Sequence, residues 1–356
     1  MQEVCRGKGA WEDVSRHTVQ QAAFLLNSQR LHFILDVQGW SGAHALALLR
    51  LRPAPIQVSY KNFVGSLGAT RDVVPWLLAD RIVAPVEYSA FYSESLVYLP
   101  GTYYGAGHHT FDPHNTPPPP PPPSSSGAAG CVDDLLTGSQ GYTGVPSDVP
   151  ADGLVLGAFS NLGKVNSQVW FLWCRILKSN ANTALWIITE PGFGVPSLMQ
   201  HAIEQGVKRT QLIFTERIHR PDHMRVKRRA AIYLDTWPFN GHSTSVEALW
   251  EALPVLTLPG VRMAARVGAS VVRASGEAHR IVARNEQDYF DITRAITSSQ
   301  RGIMWVCNVR QELMHKRTSS ILFDVPRWIN AFGNSLRCLW DVHVHMHTHF
   351  PHLVVL

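Results

Sequence analysis

The segment NGHST (240–244) combines residue types that can bind an anion. It follows the apolar run AIYLD (231–235), and its Asn-Gly pair favours a sharp backbone turn. Thr244 and Glu247 fit a capping box, which predicts a helix that begins near residues 243–245. The first amides of a helix lack partners within it and carry the positive end of the helix dipole. The segment therefore predicts either an anion site or a plain helix cap beside a structural histidine.

Alternating strands and helices are predicted to position this segment. Apolar runs predict strands, and amphipathic or polar runs predict the helices between them. The strands fall at 153–161, 183–189, 210–218, 231–235 and 254–260, and the helices at 167–178, 197–207 and 221–230. This rhythm is that of a doubly wound, Rossmann-like domain, whose ligands bind at the carboxyl ends of the strands. The NGHST turn lies at that edge.

The first half of the chain repeats the rhythm less clearly. Predicted strands over 31–38 and 54–60 flank a predicted helix over 42–52. Two Rossmann-like α/β domains that face a cleft are an arrangement used by GT-B nucleotide-sugar transferases, among other proteins. The rhythm therefore predicts an α/β protein of two such domains.

Changes in composition set the predicted domain boundaries. The run HNTPPPPPPPSSSGAAG cannot build a core, which predicts a linker or a reduced insertion. Helical periodicity starts near residue 286 and continues to the end, and we expect it to pack against the first domain. The predicted regions are an N-terminal lobe (1–113), a linker (114–150), a C-terminal lobe (151–285) and a helical extension (286–356).

Composition and cysteine spacing predict a soluble protein of the cytoplasm or nucleus. The formal charge of +5 is spread along the chain, and we expect its densest basic run, RVKRRA (225–230), to be a solvated helix face. The five cysteines have no CxxC spacing, which predicts free thiols in a reducing compartment. Without a signal-peptide pattern or a run of about 18 apolar residues, no membrane partner is expected.

Three longer motifs identify a candidate family. They are RPAPIQ (52–57), LIFTERIHRPDH (212–223) and FNGHSTSVEALWEALPVLTLPG (239–260). In this order they resemble the catalytic region of the protein O-GlcNAc transferases, a fold shared with the SPINDLY-type protein O-fucosyltransferases. The resemblance runs from about residue 25 to 340. The NGH form favours the O-GlcNAc branch, because the fucosyltransferases usually lack that histidine.

The resemblance implies two catalytic residues. Lys164, in the motif FSNLGKVNSQVW, matches the family lysine that neutralises the diphosphate leaving group. His32, in LHFILDVQGW, matches an active-site histidine, although a core histidine fits its apolar surroundings equally well.

The resemblance also makes the C-terminal lobe the UDP-binding lobe. The β-phosphate would lie at 242–244, the ribose at Glu247 (Asp in the family), and the uracil beside His223. Arg220 and Asn161 stand where the family has Lys and Gln, and the glycines of NFVGSLG (62–68) border the sugar. The full set of candidate UDP-sugar contacts is Asn161, Arg220, His223, Asn240, Gly241, His242, Ser243, Thr244, Glu247, Gly65 and Gly68.

The activity implied is inverting transfer of N-acetylglucosamine from UDP-GlcNAc to Ser/Thr of intracellular proteins. A lysine and a helix N-terminus can stabilise the leaving UDP without a metal, so no cofactor and no nucleic-acid partner are expected. Two alternatives remain: fucosyl transfer from GDP-fucose, and an inactive scaffold that binds a UDP-sugar.

The chain departs from the family pattern upstream. No 34-residue tetratricopeptide period precedes the motifs, and nothing matches the family's first strand-loop with its additional histidine. We therefore expect a truncated or divergent copy, or a piece of a longer protein. The run VHVHMHTHF (342–350) would place alternate histidines on one side of a strand, as a metal site or, more simply, a polar tail.

Overall fold

The computed structural model describes residues 12–41, 45–61, 64–68, 71–107, 131–132, 135–136, 153–190, 194–216, 226–276, 281–345 and 352–354. The described residues form two compact units. The first unit lies within Met1–Ala79, Val86–Leu99 and Gly333–Leu356, and the second within Asp80–Pro85 and Pro100–Phe332.

The first unit contains a parallel five-stranded sheet in the order β1-β2-β3-β4-β10. Its strands are β1 (Phe33–Asp36), β2 (Ile56–Ser59), β3 (Trp76–Ala79), β4 (Ser95–Tyr98) and β10 (His352–Val354). Helices α1 (Val19–Ser28) and α2 (Ala45–Arg50) pack against each other. A capping box between Thr18 and Gln21 starts α1.

The second unit contains a parallel sheet in the order β7-β6-β5-β8-β9. Its strands are β5 (Leu154–Ala158), β6 (Thr183–Thr189), β7 (Leu212–Glu216), β8 (Ile232–Leu234) and β9 (Val255–Leu256). The strand order reverses between β5 and β8, so the two neighbouring strands flank the topological switch point of a doubly wound sheet. All residues of β5, β6 and β8 are buried, as expected for a sheet covered on both faces.

Six α-helices lie among the described residues of the second unit. They are α3 (Ser167–Ser179), α4 (Val195–Glu204), α5 (His242–Trp250), α6 (Val267–Ala274), α7 (Glu286–Thr297) and α8 (Gln300–Lys316). The side chains of Asn166, Asn285 and Ser299 cap α3, α7 and α8 by accepting a backbone N–H of the first turn. A last helix, α9, spans Val325–His345.

The strands and most helices confirm the alternation predicted from the sequence, and one local prediction was wrong. Of the helix predicted over 221–230, residues 221–225 lie outside the described part, Val226 is helical and a 3₁₀ turn follows at Lys227–Arg229. In the histidine-rich run, residues up to His345 are helical, not extended, because they continue α9. Among the described residues, no cluster of three or more His, Cys, Asp or Glu side chains could hold a metal ion.

The structure divides the predicted C-terminal extension. Helices α7 and α8 belong to the second unit, where α7 packs against α3 and α8, while residues 333–356 belong to the first and end in strand β10. Helical periodicity alone does not reveal which core buries a helix, because the partner surface is distant in sequence. The predicted linker at 114–150 lies almost entirely outside the described residues.

The expectation of free thiols was wrong for one pair. Cys131 and Cys307 form a disulfide across 176 residues of sequence, with Cα atoms 5.8 Å apart. Their spacing carries no signal, because only the fold brings Cys131 beside α8. Cys174 and Cys338 are free. Cysteine spacing therefore no longer supports a reducing compartment. None of the described helices has the length and apolar character to cross a membrane.

A buried glutamine allows a test of the second unit's packing. Gln211 Nε2 lies 2.9–3.0 Å from the carbonyl oxygens of Leu177, Asn180 and Thr183, which joins α3 to the starts of β6 and β7. Gln211→Leu should lower the free energy of unfolding by about 1–3 kcal/mol, because these buried acceptors lose a donor. Urea denaturation measures this change.

The matched control is Gln200→Leu on α4, where the exposed amide bonds only Glu204. This variant should stay within about 0.5 kcal/mol of the parent. Equal effects of the two substitutions would contradict the assigned role of Gln211.

Candidate functional site

Two loops meet at the switch point of the second unit. β5 and β8 pair in parallel, with Leu156 opposite Ile232 and Gly157 opposite Tyr233, so their carboxyl ends open at the same edge. The chain leaving β5 forms a 3₁₀ turn at Leu162–Lys164, and the chain leaving β8 turns into α5. The fold therefore brings Lys164 and the helix N-terminus together across 76 residues of sequence.

The turn that carries Lys164 is fixed by Asn161. The Asn161 side chain accepts the N–H of Gly163 at 2.7 Å, and its carbonyl accepts the N–H of Lys164 at 2.9 Å. The half-buried Lys164 extends its ammonium to the carbonyl of Asn240, where Nζ donates at 2.7 Å. Burial lowers the pKa of Lys164, and the charge of Asp235 partly opposes this shift.

A buried carboxylate shapes the turn between β8 and α5. Asp235 Oδ1 accepts the N–H of Gly241 at 2.6 Å and that of Thr236 at 2.9 Å, while Oδ2 accepts the Thr257 hydroxyl at 2.7 Å. Burial raises the pKa of Asp235 to about 6, against the lowering effect of these hydrogen bonds and of Lys164.

Gly241 has no room for a side chain. A Cβ atom would lie 2.2 Å from the Tyr233 hydroxyl oxygen and 2.8 Å from Ser160 Oγ, and these two hydroxyls hydrogen-bond each other at 2.7 Å. The glycine therefore serves a close approach between the turn and the ends of both strands.

Asn240 acts through its backbone. Its side chain is fully buried, donating to the carbonyl of Thr236 at 2.7 Å and accepting the N–H of Gly268 at 3.0 Å. Both side-chain bonds hold the turn, and the Asn240 carbonyl accepts the Lys164 ammonium. The predicted UDP contact of Asn240 stays a prediction.

Helix α5 begins at His242, and the predicted capping box is wrong. Gly241 occupies the N-cap position, which leaves the helix without a side-chain cap, and Glu247 binds Lys227 instead. A capping box requires a hydroxyl residue at the N-cap. Here Asp235 accepts the N–H of Gly241, and the helix starts directly after this glycine. Within the described residues, the amides of His242, Ser243 and Thr244 meet no acceptor.

His242 is neutral at physiological pH. Its Nε2–H donates to the Ala264 carbonyl at 3.1 Å, and its ring stacks on Phe239 with centroids 4.8 Å apart. Burial, together with the charge of Lys164, lowers its pKa to about 4, although the bond to Ala264 opposes this shift. Among the described residues, Lys164, whose Nζ also lies 4.2 Å from the Phe239 centroid, is therefore the cation at this helix end.

The remaining predicted residues of the second unit lie on α5 or outside the described part. Ser243 is exposed and Thr244 half-buried in the first turn of α5. Glu247 follows one turn later and pairs with Lys227 at 2.9 Å. Arg220 and His223 lie outside the described residues.

Within the first unit, His32 and the glycine loop occupy opposite edges of the sheet. The loop with Gly65 and Gly68 follows the carboxyl end of β2, and its Leu67 carbonyl accepts the Trp40 indole N–H at 3.0 Å. His32 precedes the amino end of β1, exposed, with its ring 4.6 Å from that of Trp340. The fold does not bring His32 to this loop.

Sequence reasoning missed Asp235, Phe239 and Lys227. Asp235 does carry a local signal, since an acid that ends an apolar strand before a glycine-containing turn can accept the turn's amides. The ring of Phe239 and the ammonium of Lys227 carry no such signal, because their partners are remote in sequence.

The two parallel α/β sheets place the chain in the GT-B fold class. A solved structure of a mutant Thermobaculum terrenum O-GlcNAc transferase shares this fold with a TM-score of 0.72 at 24% identity, covering 92% of this chain and 57% of that one. The model of glycosyl transferase family 41 matches residues 2–117 and 125–332. The chain belongs to that family.

Curated relatives agree with this assignment. The probable UDP-N-acetylglucosamine–peptide N-acetylglucosaminyltransferase SEC of Arabidopsis thaliana is 29% identical over 93% of this chain and 31% of its own length. The protein of the same description called SPINDLY, from Eustoma exaltatum subsp. russellianum, is 25% identical over 95% of this chain and 34% of its own length. The chain thus spans about a third of the relatives that it matches.

The shifted pKa values predict two opposing pH dependences of stability. Asp235 binds its proton more tightly when folded (pKa about 6 against 3.8), so its contribution falls as pH rises from about 4 to 6. His242 binds its proton less tightly when folded (about 4 against 6.5), so its contribution is lost as pH falls from about 6.5 to 4. Each effect is worth roughly 3 kcal/mol.

Removing one of the two titrating groups should leave the pH dependence of stability that the other group causes. Between pH 4 and 6.5, the unfolding free energy of Asp235→Asn should rise with pH relative to the parent, and that of His242→Gln should fall. Urea denaturation at several pH values measures both slopes. Parallel curves for the parent and both variants would refute these shifts.

Proposed function

We propose that this chain transfers N-acetylglucosamine from UDP-GlcNAc to serine or threonine hydroxyls of proteins, with inversion, in the cytoplasm or nucleus. The observation that carries the proposal is the approach of the Lys164 ammonium to the open N-terminus of α5 at the switch point. Family membership and the names of the relatives support the reaction class.

The geometry fits the demands of a nucleotide leaving group. As the acceptor oxygen attacks the anomeric carbon from the opposite face, the bond to UDP breaks and negative charge develops on the diphosphate. The amides of 242–244 and the positive end of the α5 dipole would bind that diphosphate. Lys164, held at the same helix end by the Asn240 carbonyl, would stabilise the charge that develops.

Desolvation strengthens this arrangement. The ammonium is half-buried, so its attraction to a diphosphate is screened less than at an open surface. The neutral His242 adds shape and a ring stack on Phe239 rather than a second positive charge. Because Lys164 and the helix amides would supply the positive field, the proposal includes no metal requirement and no cofactor.

Two other functions have an observation in their favour. The SPINDLY relatives leave GDP-fucose open as the donor, since the sequence motifs resemble both branches. The position of His32, away from the glycine loop, favours a scaffold that binds a UDP-sugar without transfer. Ligand binding separates these functions.

UDP, but not GDP, should stabilise the chain against thermal unfolding. At about one hundred times Kd, UDP should add about 3 kcal/mol, and EDTA should not reduce that gain. A shift with GDP alone would favour the fucose donor, and no shift with either nucleotide would refute both transferase functions. Stabilisation by UDP without detectable transfer would favour the scaffold.

Lys164→Ala should slow transfer far more than it weakens UDP binding. We expect kcat to fall by about 10²–10³-fold and the Kd for UDP to rise by less than about ten-fold, because the lysine acts on charge that develops in the transition state. Transfer kinetics and calorimetric titration with UDP measure the two effects.

Lys178→Ala, at an exposed lysine of α3, provides the matched control and should leave both constants unchanged. Equal losses in kcat and affinity for Lys164→Ala would remove this lysine from the leaving-group role.

A further inference from the structure

Lys227 is a fully buried lysine beside the candidate nucleotide site. It opens the 3₁₀ turn before β8, its side chain is 0% exposed, and its Nζ lies 2.9 Å from Glu247 Oε2 on α5. Its ammonium also lies 5.8 Å from the ring centroid of Phe159, just after β5. A buried ammonium costs several kcal/mol unless a charged partner in good geometry offsets the desolvation. The burial of Lys227 therefore depends on Glu247 staying in this position.

The next residue of the turn makes a similar ion pair with a different exposure. Arg228 pairs with Glu251, four residues after Glu247 on α5, at 2.5 Å. There the Glu251 side chain is enclosed, at 1% exposed, and the Arg228 side chain is 25% exposed. In the Lys227 pair the Lys227 side chain is enclosed and the Glu247 side chain is 15% exposed. The turn thus binds α5 twice, and Glu247 is the more exposed of the two acids.

Glu247, whose side chain is partly exposed, follows the open helix amides along α5. Glu247 follows His242 by five residues, about 7.5 Å along a helix that rises 1.5 Å per residue. The ribose of a nucleotide reaches this far when its diphosphate lies at the helix N-terminus. An ionised carboxylate only accepts hydrogen bonds, so its natural partners there are the ribose hydroxyls.

Resting on the proposed function, we infer that Lys227 is a positioning residue of the nucleotide site, which holds Glu247 as an ionised, oriented acceptor for the ribose hydroxyls. The charge-assisted bond from Lys227 restricts the Glu247 side chain before a ligand binds. Binding a ribose then costs less side-chain conformational entropy. The sequence predicted RVKRRA as a solvated face, whereas the fold buries Lys227 against α5.

The test compares UDP with 2′,3′-dideoxy-UDP by calorimetric titration. The parent chain should bind UDP at least ten-fold more tightly, since a hydrogen bond to a charged group is worth about 1.5–3 kcal/mol. Lys227→Met should reduce this preference several-fold, toward the value for Glu247→Gln, and the double variant should lose little more. Lys227→Arg, which keeps the charge, should retain most of the preference.

The matched control is Arg228→Met, which removes the neighbouring ion pair. It should lower the melting temperature as Lys227→Met does, yet leave the ratio of the two affinities unchanged. A ratio that is unchanged in Lys227→Met, or that falls equally in Arg228→Met, overturns the positioning role while the proposed function stands. Should Lys227→Met not fold, Lys227→Arg decides: a ratio as low as that of Glu247→Gln overturns the inference. A parent chain that does not bind UDP overturns the proposed function and this inference together.

Discussion

The buried carboxylate of Asp235 is the interaction on which the second unit's site depends. It receives the amides of Thr236 and Gly241 and the hydroxyl of Thr257, so one side chain joins the end of β8, the start of α5 and the residue after β9. A Cβ on Gly268, in α6, would lie 2.5 Å from Oδ2, so this helix also packs directly against the carboxylate. The charge is tolerated because hydrogen bonds from three sides replace its hydration.

The open helix end follows from this constraint. Because Asp235 takes the Gly241 amide, the helix starts without a side-chain cap and leaves its next three amides unpaired. Asn240 is held by Thr236, Gly268 and Ala264, so its carbonyl has a fixed direction in which to receive Lys164. A cation and unpaired amides are thus positioned by the fold before any ligand arrives, which is the condition for electrostatic stabilisation without reorganisation.

Local sequence predicted most of the second unit's elements and the position of the turn. Buried parallel strands are continuous apolar runs, and helices such as α3 have a buried face and an Asn cap, so both are visible in short windows. The prediction of a capping box failed, although Thr244 and Glu247 fit its local sequence pattern. In the structure, Asp235 accepts the amide of Gly241, and Glu247 pairs with Lys227 instead of capping the helix. The role of His32 could not be decided, because an HFILD pattern does not say which edge of a sheet a residue borders.

The sequence by itself determined the family and the position of the NGHST turn between a strand and a helix, because motif residues and strand-turn-helix order are local properties of the chain. Only the tertiary structure decided which groups share the site. It set Lys164 against Asn240, enclosed Lys227 beneath Glu247, and joined Cys131 to Cys307. Each of these pairs is separated by 20 residues or more, and burial is a property of the assembled core, so no local pattern can encode it.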